Sequence, residues 1–180
     1  MQHGALHPES RAFIGSWRAL NGLESDQASS NSLSKDASSL LNRLFLAQRA
    51  DEDVFIFRTI GKDLTVWTGR DLRDYAVVSL FQGADRPLLA ALIDSAIAAP
   101  GPALARACAF GLGQGQRCEI ELVVLPLLEQ GVPDRILGLF QPIGSGLSVA
   151  KPVLRLALTA ILPPAPQQPA RPALRLVVST

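Results

Sequence analysis

The chain of 180 residues has only two cysteines, Cys108 and Cys118, and only two histidines, His3 and His7. Two cysteines cannot build a disulfide framework. The histidines both precede the first expected helix, so the body of the chain has no imidazole for a Ser-His-Asp site. No GxSxG elbow is present either. Charge is also sparse. The formal net charge is +1, without the basic excess of a nucleic-acid binder. Acidic residues stop at Asp134, and five basic residues follow it, which leaves −4 over residues 1–134. The longest apolar runs, IELVVLPLL and VLRLALTAIL, fall short of the roughly 20 residues that cross a bilayer. The opening MQHGALHPESR lacks the apolar core of a secretory signal. These absences predict a cytoplasmic protein with no membrane span and no nucleic-acid partner.

What is present is globular. Hydrophobic residues make up 48% and charged residues 18%, a balance that suits one domain with flanking arms. Pro8 and Glu9 open a helix with Phe13, Ile14, Trp17 and Leu20 on one face, ended by Asn21-Gly22. Gly15 inside it costs about 1 kcal/mol relative to alanine, so packing must hold this helix in place. Residues 24–34 are a polar linker. Asp36 or Ser38 can cap a short helix carrying Leu40 and Leu41. LFLAQRA and VFIFRTI read as a hairpin around DED. A helical turn or two is expected over 62–68 with Gly69 as its C-cap, and another short helix over 70–81. From Asp85, Leu88, Leu89, Leu92, Ile93, Ala96 and Ile97 form the stripe of a longer helix, stopped by Pro100-Gly101-Pro102. Strands follow at about 104–110, 117–128 and 134–142, and a further one is expected around 153–161. Grouped strands around grouped helices predict an antiparallel sheet with helices on one face.

Two phrases carry a resemblance. FRTIGKDLTVWTGRDLRDYAVVSLF and, downstream, EIELVVLPLLEQGVPDRILGLFQPI together resemble a bacterial, largely alphaproteobacterial, family of small single-domain PAS proteins. The matching positions are Phe57, Arg58, Gly61, Gly69–Arg73, Ser79, Leu80, Glu121, Leu122, Leu125–Leu127, Leu137, Gly138 and Pro142. Asp74 stands where the family phrase has a glycine. The resemblance spans roughly residues 8–162. It implies an α+β PAS fold: a five-stranded antiparallel sheet with short helices on one face, plus an N-terminal helix and a C-terminal extension. The expected organisation is an N-terminal helix and linker over 1–33, a PAS core over 34–143 and an extension over 144–180. No separate effector domain is expected in this length. The resemblance further implies a regulatory role through homodimers and signalling partners, with some relatives acting in motility and cell polarity.

Candidate sites follow from that frame. Phe57, Trp67, Tyr75 and Phe81 are placed to line the cavity that PAS sheets enclose. No cofactor and no metal is expected: haem would need a ligand in the cavity, where no histidine lies, and flavin photochemistry needs a cysteine that residues 62–81 lack. The glycines of GLGQGQ at 111–116 suggest a phosphate loop, but a strand follows instead of the helix such a loop requires, so a hairpin turn is expected. Glu119 and Glu121 share one face of a strand without a nucleophile or proton-transfer partner nearby in sequence, so no catalytic residue is assigned and no enzyme is expected. The sheet needs cover on its outer face as well, because Val54 and Ile56 alternate with Phe55 and Phe57. Phe13, Ile14, Trp17 and Leu20 are the expected cover, in the same chain or across a dimer. Cys108 and Cys118 are equidistant from residue 113, which in a symmetric hairpin would set them opposite each other as a redox pair, although free thiols are expected in the cytosol. KPVLRLAL at 151–158 recurs as RPALRLVV at 171–178. The first copy is expected to extend the sheet with both leucines on one face, and the second to be a tethered strand-like arm beyond the PPAPQQPA spacer. The expected function is regulation through protein contacts. A small-molecule sensor for an apolar or carboxylate metabolite is the alternative.

Overall fold

Ala103, Ala105, Ala107 and Ala109 are all buried, while the residues between them are only half-buried. That alternation marks a strand with one face against a helix, and small side chains on that face let the helix approach. In the computed structural model, which describes residues 5–23, 37–51, 54–111, 117–128, 133–144 and 152–165, this strand is β3, Ala103–Gly111. The helix against it is α4, Asp85–Ala98, which buries Leu89, Leu92, Ile93, Ala96 and Ile97. Leu88 of the expected stripe is instead 46% exposed, on the first turn of α4.

The sheet has six antiparallel strands in the order β2-β1-β5-β4-β3-β6. They are β1 Leu44–Asp51, β2 Val54–Ile60, β3, β4 Arg117–Pro126, β5 Arg135–Ile143 and β6 Val153–Leu162. β6 is the first tail copy, and it pairs with β3 from Leu104 to Gly111. Its two leucines do not share a face. Phe110 pairs with Arg155 and Gly111 with Val153, so Leu154 is an extra residue in the ladder, 59% exposed, while Leu156 is buried. A bulge of this kind breaks strict alternation. The second copy, like the polar linker and the centre of GLGQGQ, lies outside the described residues.

Between β2 and α4 run α3, Lys62–Thr68, and one 3-10 turn, Val77–Leu80. Gly69 ends α3 at φ 68° and donates its N–H to Thr65 O at 2.9 Å, the expected left-handed cap. The helix expected over 70–81 is reduced to that 3-10 turn. Asp71 Oδ1 accepts from Arg73 N at 3.0 Å, a side-chain turn that competes with helix. Asp74 then takes φ 64°. It adopts the left-handed conformation a glycine would supply, and its carboxylate pairs with Arg58 at 2.9 Å. A β-branched residue is badly suited to that conformation. Asp74→Val is expected to cost about 1–2 kcal/mol in urea unfolding, while Asp74→Gly stays within about 1 kcal/mol of the native chain.

This segment also closes the sheet. On the β2 side, Phe57 N donates to Tyr75 O at 3.0 Å and Asp74 N to Phe57 O at 2.9 Å. On the β6 side, Phe81 bridges Leu156, and Leu158 N donates to Asp85 Oδ2 at 2.9 Å. Residues 74–85 therefore satisfy backbone groups on both edge strands, a protection against edge-to-edge pairing.

Two apolar layers result. The helix-side core holds Phe45, Phe57, Trp67, Phe81, Phe140 and the α4 stripe. The outer layer joins Phe13, Ile14 and Trp17 to Leu40, Val123, Leu125 and Leu139. Among the described residues, no helix is long and apolar enough to cross a membrane.

Candidate functional site

The outer layer is built by α1, Pro8–Leu20, lying on β4 and β5 of its own chain. The expected cover is therefore in place, but it falls on those strands and not on β2, where Val54 and Ile56 remain half-buried. Phe13, Ile14 and Trp17 are buried, as expected, whereas Leu20 is 86% exposed on the last residue of the helix.

Polar contacts fix both ends of α1. At its far end Trp17 Nε1 donates to Pro126 O at 2.8 Å. At its start the His7 N–H meets both Glu121 oxygens, at 3.0 and 3.3 Å. Glu121 is fully buried, and Arg106 Nη2 pairs with it at 2.9 Å while also reaching Ala5 O at 3.1 Å. Alongside, the buried Arg43 guanidinium meets Glu9 at 2.6 Å, Ser39 Oγ at 3.0 Å and the Gln141 carbonyl oxygen. A buried carboxylate is tolerated when it is paired and hydrogen-bonded, and Glu121 is both. Of the Glu119–Glu121 pair, Glu119 is exposed and Glu121 is engaged in this clasp.

Beside α1, over the outer side of β3 and β6, lies a half-open groove of about 590 Å³. Arg11, Ile14, Gly15 and Arg18 line it from the helix, and Leu104 and Leu162 from the strands. Pro100–Pro102 and Pro163–Ala165 close its far side.

Three of the four nominated cavity residues come together, and the fourth lies apart. Phe57, Trp67 and Phe81 are buried in the helix-side core. Aromatic rings meet in this core: Phe45 sits 5.1 Å from Phe57 and 5.3 Å from Phe140, and Trp67 sits 6.4 Å from Phe140, centroid to centroid. Tyr75 is half-exposed on the closing segment, with the Arg70 guanidinium 5.3 Å from its ring centre. Trp67 Nε1 is buried without a hydrogen-bond partner.

Cys108 and Cys118 are not opposed. The register pairs Cys108 with Glu119 and Ala109 with Cys118, one residue off symmetry. Side chains one residue apart in register face opposite sides of a sheet, so the pair lacks disulfide geometry. Both thiols are free. Burial pushes the Cys118 thiol above its ordinary range, and the neighbouring Cys108 and Glu119 charges add to the effect. A raised thiol pKa leaves less reactive thiolate. In the native protein a thiol-alkylating reagent should therefore label Cys108 well before Cys118, with both labelled after unfolding. Equal native rates would contradict this placement.

The Glu121–Arg106 and Arg43–Glu9–Gln141 contacts were not singled out from sequence. Their signal is a charged or amide residue inside an otherwise apolar strand: Glu121 in IELVVL and Gln141 in GLFQPI. Among the described residues no group of three or more His, Cys, Asp or Glu could hold a metal ion.

No curated protein matches the chain. A family model described as the PAS domain matches residues 5–141, from the clasp ahead of α1 almost to the end of β5. With that match over most of its length, and an antiparallel sheet with short helices on one face, the chain belongs to the PAS-domain family.

Proposed function

We propose that this protein is a cytoplasmic, non-catalytic regulator that works through protein–protein contacts on its outer sheet face, with α1 as the element that meets partners. PAS domains are sensory and signalling modules, and the family membership supports that role at the coarse level. One observation carries the finer reading. On the helix side, aromatic rings pack on one another at 5.1–6.4 Å, while the outer face carries a separately clasped helix with an apolar groove beside it. A second copy of the chain is among the partners this face suits, and control of motility or cell polarity is the process its family resemblance favours.

The alternative, a small-molecule sensor, draws support from Trp67 Nε1. A buried donor without a partner costs about 1–3 kcal/mol, and a ligand oxygen would satisfy it. Native mass spectrometry of protein purified from its own host separates the two. Contact-based regulation predicts masses of the bare chain or its multiples. A stoichiometric retained small molecule would favour the sensor.

A further inference from the structure

Nothing among the described residues requires a glycine at position 15. It sits within α1, where glycine is the poorest residue short of proline. Its φ is not in the left-handed region, and a Cβ built there meets nothing within 4 Å. No close approach within the described chain requires the missing side chain. What its absence does is keep open the helix wall of the 590 Å³ groove.

Among the described residues, the charges lining that opening have one sign. Arg11, Gly15 and Arg18 follow at four- and three-residue spacing, so they share one helix face. The two arginines stand about 10 Å apart along the axis, with Gly15 between them. Among the described residues, no acidic side chain lines the groove. Among the described residues, the Arg11 guanidinium meets a backbone oxygen, Leu6 O at 3.1 Å, a contact that does not compensate its charge. Below lie Ile14, Leu104 and Leu162, an apolar floor.

We propose that this groove docks a short segment of a partner protein that combines apolar anchors with acidic side chains, a proposal that rests on the outer-face reading above. The apolar anchors take the floor opened by Gly15, and the acidic groups meet Arg11 and Arg18. The half-open shape favours a chain segment over a free small molecule, because small-molecule sites bury most of the ligand surface. Opposite charge at the rim adds encounter rate and selects against basic segments.

The test is selection of random 12-residue peptides displayed on phage against the full chain at low salt. The selected peptides are then synthesised and titrated against variants. The expected peptides carry Asp or Glu beside Leu, Ile, Phe or Trp. Their Kd is expected to rise at least tenfold in Gly15→Leu, at least tenfold in the double variant Arg11→Glu/Arg18→Glu, and with added salt. Gly15→Ala serves as the folding control, with a Tm raised by about 2–4 °C and weakened binding. Four results would overturn the proposal: no enriched peptides; neutral or basic peptides; acidic peptides whose affinity is unchanged by Gly15→Leu; or occupation of the groove by decanoate or by a second copy of the chain. Binders that map elsewhere on the outer face would sink the groove while leaving contact-based regulation intact. A small molecule retained from the host would instead strike at the regulation itself.

Discussion

Trp17→Ala is expected to lower the unfolding free energy by about 3–5 kcal/mol, with a Tm drop on the order of 10 °C. Trp17 is 5% exposed and lies in the layer formed with Val123, Leu125 and Leu139. Truncation removes that apolar area and leaves a void between α1 and the sheet. It also strips the donor from Pro126 O, which Trp17 Nε1 reaches at 2.8 Å. Trp17→Phe separates the two losses: it keeps most of the ring area and removes only the donor, for about 1–3 kcal/mol. Urea unfolding of both variants checks the order. Losses under about 0.5 kcal/mol in each, typical of surface substitutions, would mean that α1 does not dock through Trp17.

Gly61→Ala should be as damaging, by a different route. Gly61 lies at φ −69° and ψ 154°, a conformation open to any residue, so backbone strain is not the reason for glycine. Space is. A Cβ there would overlap the backbone carbon and oxygen of Asn42 and stand 2.7 Å from Leu41 O. These atoms are held by the junction itself, where Gly61 N donates to Leu44 O at 2.7 Å and Asp63 N to Asn42 O at 2.9 Å. Backbone cannot rotate aside as a side chain can, so the cost should reach the top of the overpacking range, about 3 kcal/mol or more. Gly138→Ala is the useful comparison. Its Cβ would run into the Phe45 ring, with Cε2 at 2.6 Å, and a ring can tilt at the expense of its neighbours Phe57 and Phe140. Soluble yield and Tm of the two variants should place Gly61→Ala below Gly138→Ala. The reverse order would mean that the α2–β1 junction, with α2 at Ala37–Leu41, yields more readily than the aromatic cluster.

The elements most visible in the sequence are those with long, regular periodicity. The hairpin of β1 and β2, α4, and strands β3 to β5 lie close to where alternation and helical spacing place them. Features set by one residue of register were harder to read. The symmetric placement of Cys108 and Cys118 assumed a turn centred on residue 113, and a slip of one residue sends a side chain to the other face. The flanking pattern held the correction. Odd positions of β3, Ala103 to Ala109, and even positions of β4, Cys118 to Val124, both face the helices, so Cys108 and Cys118 cannot share a face. Leu154 was misplaced for a similar reason, since a bulge leaves no mark in a short run of alternating leucines. The segment 70–81 has helical spacing, but the local hydrogen bonding of Asp71 and the left-handed Asp74 override it. The clasp at the start of α1 depends on residues more than 100 positions apart, His7 with Glu121, and only tertiary folding brings them together.

The measurement closest to the central claim is the solution mass, by light scattering on a sizing column, of the full chain and of a chain beginning at residue 24. Without α1, the layer of Leu40, Val123, Leu125 and Leu139 is uncovered, and Glu121 loses the His7 N–H. An uncovered apolar patch of this kind drives association. The shortened chain is expected to self-associate or aggregate under conditions where the full chain keeps a single defined mass. A stable, monodisperse shortened monomer, with the full chain's Tm, would contradict the account.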